Sequence, residues 1–299
     1  MQISRMDLAD AGSPDKIVTA ILKEEPNLTI PVPIEELCKR LDITEFQELS
    51  SDGFEGGLIT DQERSSGIIL FKAAIKPRRR FTIAHELGHF LMPSHIPSQA
   101  GKFLCSRDDM RAMGIKEGTK RQRMEGEANR FASLILMPPP ALRRALQTYR
   151  DPDLQQVITL AKQFEVSKEA FARSYISYRE EPLAIIIAKD GIFIRYYRGI
   201  KFPYIVPNIG DAVPSGSIFH RNSHAQENLT ELTECLPGNW IEVPHGSRAP
   251  VLYEQVHVQQ GGFSLIMLHV EAVDEEESEY EAKLEQSWEI RFGSNRRRR

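Results

Sequence analysis

Apolar residues in the first third of the chain recur at two periods, and each change of period marks a new element. Lys16 to Glu24 and PVPIEELCKRLDI (31–43) carry apolar positions three and four apart, in the second case Ile34, Leu37, Cys38 and Leu41, which predicts two amphipathic helices. The glycines of DGFEGG (52–57) break that pattern. GLITD and SSGIILFK then read as two strands joined by the polar turn Gln62 to Ser65, an antiparallel hairpin. RFTIAHELGHFLM (80–92) returns to helical spacing, with Ile83, Leu87 and Leu91 as its apolar stripe. Residues 93–120 keep no steady period and read as a long loop with a short helix around Asp108 to Met113. A strong helix over 121–137 follows, with Met124, Ala128, Phe131 and Ile135 at the centre of its apolar face, and Pro138, Pro139 and Pro140 stop it because proline lacks the amide donor.

Helical spacing continues to about Tyr178. Within it, VITLAKQFEVSKEAFARSYI (157–176) predicts helix, tight turn, helix, with Ser167 as N-cap and Val166 able to pack on Phe171. The pattern changes at Glu181-Pro182. LAIIIAKDGIFIRYYR places Asp190-Gly191 between two β-rich runs, a hairpin signal because both turn residues need positive φ. WIEVP, VLYEQVHVQ and FSLIMLHVEAV are further strand-like runs, and 274–292 reads as an acidic helix ahead of Arg296 to Arg299, whose default is a disordered tail. The expected organisation is α+β: a core with a small antiparallel sheet over 15–145, a helical extension over 146–180, and a separate β-rich α+β domain over 181–299.

Composition narrows the class without naming a partner. The 299 residues, 41% hydrophobic and 27% charged, fit a globular protein of about two domains. A net charge of -4 argues against wrapping nucleic acid with the whole surface. Cys38, Cys105 and Cys235 are odd in number and far apart, which predicts free thiols in a reducing, cytoplasmic compartment. No run approaches the ~18 apolar residues that span a bilayer, and the first residues lack an apolar signal core.

The chemistry sits on the helix at 80–92. His85 and His89 are one turn apart and about 200° from Leu87, so both imidazoles leave the helix on one face and can aim two nitrogens at one tetrahedral zinc ion. Glu86, between them, is placed to act as a base toward a water polarised by that cation. Gly88 in mid-helix suggests close approach of another element. A third ligand is sought in EGEANRFASLILMP (125–138). With Met124 at the centre of the apolar face, Glu127 falls inside the stripe and Glu125 at its edge. A carboxylate buried in an apolar stripe requires a cation or donors, so Glu127 is the expected ligand and Glu125 the reserve. Asn129 is expected to orient a neighbouring group, His95 to be a surface histidine, and Cys105 a free thiol, with an inhibitory approach to the metal as the lesser reading. His220 and His224 are the only pair among the remaining histidines with ligand-like spacing.

The run RFTIAHELGHFLM followed by EGEANRFASLILMP resembles the ImmA/IrrE family of metallo-endopeptidases over about residues 15–180. The resemblance implies a minimal zincin-like core with an HExxH helix, metal ligands His85, His89 and Glu127, and Glu86 as catalytic base. It implies zinc, or manganese in some members, and a protein substrate, characteristically a helix-turn-helix transcriptional repressor. The segment 157–176 resembles the helix-turn-helix-like piece that follows this core. Its second helix carries Lys168 and Arg173 but also Glu169, so a structural or repressor-docking use is favoured over direct DNA binding. A substrate strand is expected to pair with a hairpin edge near Ile68 to Phe71. The rival reading is a DNA- or partner-binding transcriptional regulator whose metal site is structural or idle.

Overall fold

The computed structural model describes residues 3–8, 10–50, 53–72, 74–96, 101–106, 108–111, 119–222, 228–243 and 249–271. The expected acidic helix at 274–292, the terminal arginines and His224 lie outside the described residues. The chain divides into two compact units, 1–151 with 156–171, and 152–155 with 172–299. The second unit thus begins ahead of the change in pattern at Glu181.

In the first unit, α1 (Pro14–Glu24) starts where Ser13 accepts a hydrogen bond from the Lys16 amide and proline occupies the first turn, and α2 is Ile34–Arg40. A four-stranded sheet follows from β1 (Ile43–Leu49), β2 (Gly56–Thr60), β3 (Gly67–Lys72) and β4 (Lys102–Cys105), in the order β1-β3-β2-β4. β2 pairs antiparallel with β3 as expected, and also with β4, but β1 runs parallel to β3, so the sheet is mixed rather than antiparallel. β1 carries Glu45, Gln47 and Glu48 on an outer strand whose side chains are mostly exposed, and this hid its alternation. β3 is therefore central. The expected free edge at Ile68 to Phe71 is filled on both sides, and β4 takes an outer position instead.

Two long helices complete the site. α3 (Lys76–Leu91) is buried from Thr82 to Leu91, and α4 (Lys120–Leu136) begins with a reciprocal capping box between Thr119 and Gln122. They cross closely at Gly88, where an added Cβ would lie 3.0 Å from the Phe131 side chain and 3.3 Å from Ala128 Cα. The glycine is spent on this helix crossing, not on space around the histidines. α5 (Pro139–Leu146), α6 (Leu154–Phe164) and α7 (Lys168–Tyr178) follow. The Ser167 hydroxyl accepts from the Ala170 amide at 3.1 Å, the cap expected from its sequence position.

The second unit holds β5 (Leu183–Lys189), β6 (Ile192–Arg198), β7 (Thr233–Cys235), β8 (Leu252–Val258) and β9 (Phe263–Val270) in one antiparallel sheet ordered β6-β5-β9-β8-β7. Asp190 and Gly191 turn the first hairpin at φ 51° and 76°. WIEVP contributes only an isolated bridge between Ile241 and Ile205. Ile186, Phe193, Trp240, Val256 and Ile266 form the core. Within it Glu254 is fully buried, accepting from the Ser217 hydroxyl, the Ile218 amide and Trp240 Nε1. No described helix is long and apolar enough to cross a membrane.

Candidate metal centre

One turn of α3 brings His85 Nε2 and His89 Nε2 to 3.1 Å. Glu125 on α4 places Oε2 3.2 Å from the first and 3.3 Å from the second. Cys105, the last residue of β4, sets Sγ 3.7 Å from His89 Nε2. All four groups are buried, and their ligand atoms lie within 4.8 Å of one another. Donors bonded to one tetrahedral zinc at about 2.0–2.3 Å stand roughly 3.3–3.6 Å apart. The separations among His85, His89 and Glu125, and that from Cys105 to His89, are close to that, and two imidazoles, a carboxylate and a thiol are a donor set suited to zinc.

The imidazoles are held with Nε2 facing inward. His85 Nδ1 donates to Asn129 Oδ1 at 2.8 Å, and Asn129 Nδ2 in turn donates to the Asp109 carbonyl at 3.0 Å, which fixes the amide's orientation. His89 Nδ1 lies 2.9 Å from His95 Nδ1, and His95 Nε2 lies 2.9 Å from Glu127 Oε2. The carboxylate orients a buried His95, which orients His89. Arg64, at φ 54° in the β2–β3 turn, donates to the carbonyls of His89, Phe90 and His95 and so fastens the end of α3 to the segment carrying His95.

Glu127 is thus not brought to the cluster. It is half exposed and one imidazole removed, while the reserve, Glu125, faces the histidines. Two residues on a helix differ by about 200°, so only one of these glutamates can face α3. The buried face of α4 contains Glu125, Ala128, Asn129, Phe131, Ala132, Ile135 and Leu136, whereas Met124, taken as its centre, is only partly buried. His95 is fully buried rather than on the surface. Cys105 stands inside the site, on a strand that the pattern assigned to a loop. His95, Arg64 and Cys105 all join the cluster through tertiary contacts that helical spacing does not report.

The electrostatics favour a cation. Burial pushes the Glu86 carboxyl up to about 8, against the opposing pull of His85 and of the Cys105 thiol. Both its oxygens are buried without a hydrogen-bonding nitrogen or oxygen among the described residues. An added Cβ on Gly56 would lie 2.7 Å from Glu86 Oε1, so β2 can pass this carboxylate only with glycine there. Burial also opposes ionisation of Glu125, yet hydrogen bonds from His85 and His89 outweigh it and hold the carboxyl well below the usual range. Burial lowers His89 to about 3, so this imidazole is neutral. Beside the cluster, a cleft of about 230 Å³ is lined by Phe103, Leu104, Met124 and Glu125 together with Lys102, Lys120 and Arg121.

Residues 38–174 match the IrrE N-terminal-like domain. The radiation response metalloprotease IrrE of Deinococcus radiodurans is 31% identical over 126 residues, 40% of this chain and 34% of that protein, so the likeness spans about a third of the relative's length. A Mycobacterium tuberculosis transcriptional regulator aligns with TM-score 0.55 at 13% identity, covering 86% of this chain and 75% of that one, a likeness of fold. Over residues 38–174, somewhat less than half of its length, the chain is therefore similar to the ImmA/IrrE peptidase family.

Proposed function

We propose that the protein is a zinc-dependent endopeptidase in which His85, His89 and Glu125 hold the metal and Glu86 is the general base. The observation carrying this reading is the pairing of a converged donor set with a buried carboxylate, one residue from a ligand, to which no nitrogen or oxygen among the described residues donates. A divalent ion held there would supply Lewis acidity, polarising the scissile carbonyl and acidifying water. Glu86 takes the proton of the attacking water and returns it to the departing amine nitrogen, so no covalent bond to the chain forms. Asn129 and the Glu127–His95 pair keep the ligand nitrogens in register. The thiol in the donor set favours zinc over manganese.

The substrate is a protein segment, extended along β4 in the adjacent cleft, where Lys102, Lys120 and Arg121 favour acidic residues. The family resemblance supports a transcriptional repressor of helix-turn-helix type as that substrate; the name of the Deinococcus relative, a radiation response metalloprotease, supports proteolysis itself. The mycobacterial neighbour is named a transcriptional regulator, which suits a role in the same kind of circuit.

Metal analysis together with cleavage of candidate repressors tests the proposal, using the chain with and without Cys105→Ala, since that thiol stands in the site. About one equivalent of zinc is expected, lost in His85→Ala and Glu125→Ala and kept in Glu86→Gln, with chelator-sensitive cleavage abolished by Glu86→Gln. Cleavage surviving Glu86→Gln would overturn the mechanism.

A further inference from the structure

Cys105 is the fourth group of the buried cluster, and a thiol there bears on what the site is. Catalytic zinc sites keep three protein ligands and one open position, whereas structural sites close all four. Resting on the reading above, we propose that Cys105 Sγ is a fourth ligand to the ion held by His85, His89 and Glu125, so that the structure is the closed, latent form of a peptidase. The position that water needs opens when the thiolate is withdrawn. On coordination the thiol enters as thiolate and its proton passes to solvent.

Three observations carry this beyond a cysteine that merely happens to be buried. The thiol faces two imidazoles and two carboxylates, not an apolar pocket that a methyl group would fill as well. Glu86, the base of the proposed reaction, is sealed in the same enclosure with neither oxygen hydrogen-bonded to nitrogen or oxygen among the described residues, and the sulfur stands beside it. β4 is also anchored at its last residue. Cys105 lies opposite Gly56 in the ladder with β2, and its carbonyl accepts from the Glu55 amide at 2.9 Å. The next residue, Ser106, donates through its amide and hydroxyl to Asp109 at 2.9 and 2.8 Å. Asp109 meets Arg121 at 3.0 Å, and its carbonyl receives Asn129, the residue that orients His85. The strand end carrying the sulfur is fastened to the helix carrying Glu125.

Cobalt-substituted full-length chain tests this with two readouts that need no substrate. The wild-type protein is expected to show an intense near-ultraviolet thiolate-to-cobalt band. Cys105→Ala and Cys105→Ser are expected to lose it while still binding cobalt, and Cys38→Ala and Cys235→Ala to keep it. Acetohydroxamate, a probe of an open coordination position, is expected to shift the visible cobalt bands of Cys105→Ala and leave those of the wild-type chain unmoved. Cobalt bound by the wild-type chain without the band, or a band that survives in Cys105→Ala, overturns the ligand assignment while leaving the His85, His89 and Glu125 site standing. An equal acetohydroxamate shift in both proteins overturns the latency. Failure of the wild-type chain to bind cobalt overturns both this inference and the site beneath it.

Discussion

Glu86 in the first unit and Glu254 in the second are both fully buried, and they are treated in opposite ways. In the second unit Glu254 is surrounded by donors: a hydroxyl, a backbone amide and an indole N–H. In the first, Glu86 is equally buried, yet no nitrogen or oxygen among the described residues donates to it. Burial raises the proton affinity of both. A buried polar group normally has its partners built in, because leaving it without them costs about 1–3 kcal/mol. Glu254 follows that rule and reads as architecture. Glu86 breaks it and reads as a group whose partner arrives from outside the chain.

Substitutions can break that contrast. The largest effect is expected from Glu86→Gln, a loss of roughly 10²–10⁴ in peptide cleavage with the melting temperature unchanged or raised, checked by turnover and calorimetry on the same samples. Glu254→Ala should do the reverse: cleavage unaffected per folded molecule and stability down by about 2 kcal/mol as Trp240 Nε1, the Ser217 hydroxyl and the Ile218 amide lose their acceptor, read by urea denaturation. His95→Ala, which uncouples Glu127 from His89, should weaken zinc about 10- to 100-fold in a competition titration with a chelator, with Glu127→Ala at the weaker end of that range.

The smallest effect expected is in the pH dependence of stability. Glu254 has a raised pKa in the folded state, so the native protein holds its proton to higher pH than the unfolded chain does. Its contribution is present below the ordinary carboxylate range and declines as pH rises through the elevated folded value. Glu254→Gln, which cannot lose a proton, should flatten that part of the stability curve; an unchanged slope would remove titration of this residue from the account.

What could be read from sequence follows from how local each determinant is. His85, Glu86 and His89 belong to one helix turn, so spacing alone sets their mutual direction. The choice between Glu125 and Glu127 needed the phase of α4, and the pattern was misjudged by about one residue step because Met124, an apolar side chain beside the cleft, looked like core. The strands β1 and β4 escaped notice for different reasons: the first is an outer strand with a mostly polar surface, and the second has four residues, too few to display a period. Cys105 and His95 were visible as residue types, but only tertiary structure decides which way such residues face. The hairpin at Asp190-Gly191 was legible because its turn chemistry is local.

Arg64 has a consequence for how the chain tolerates change. It belongs to the bend between β2 and β3, where length variation is ordinarily harmless, yet its guanidinium holds carbonyls at the far end of the histidine helix. That bend therefore behaves as a gauge block: one residue added or removed there would shift the guanidinium off its seat, and a change far from the chemistry in sequence would be felt as misalignment of His89.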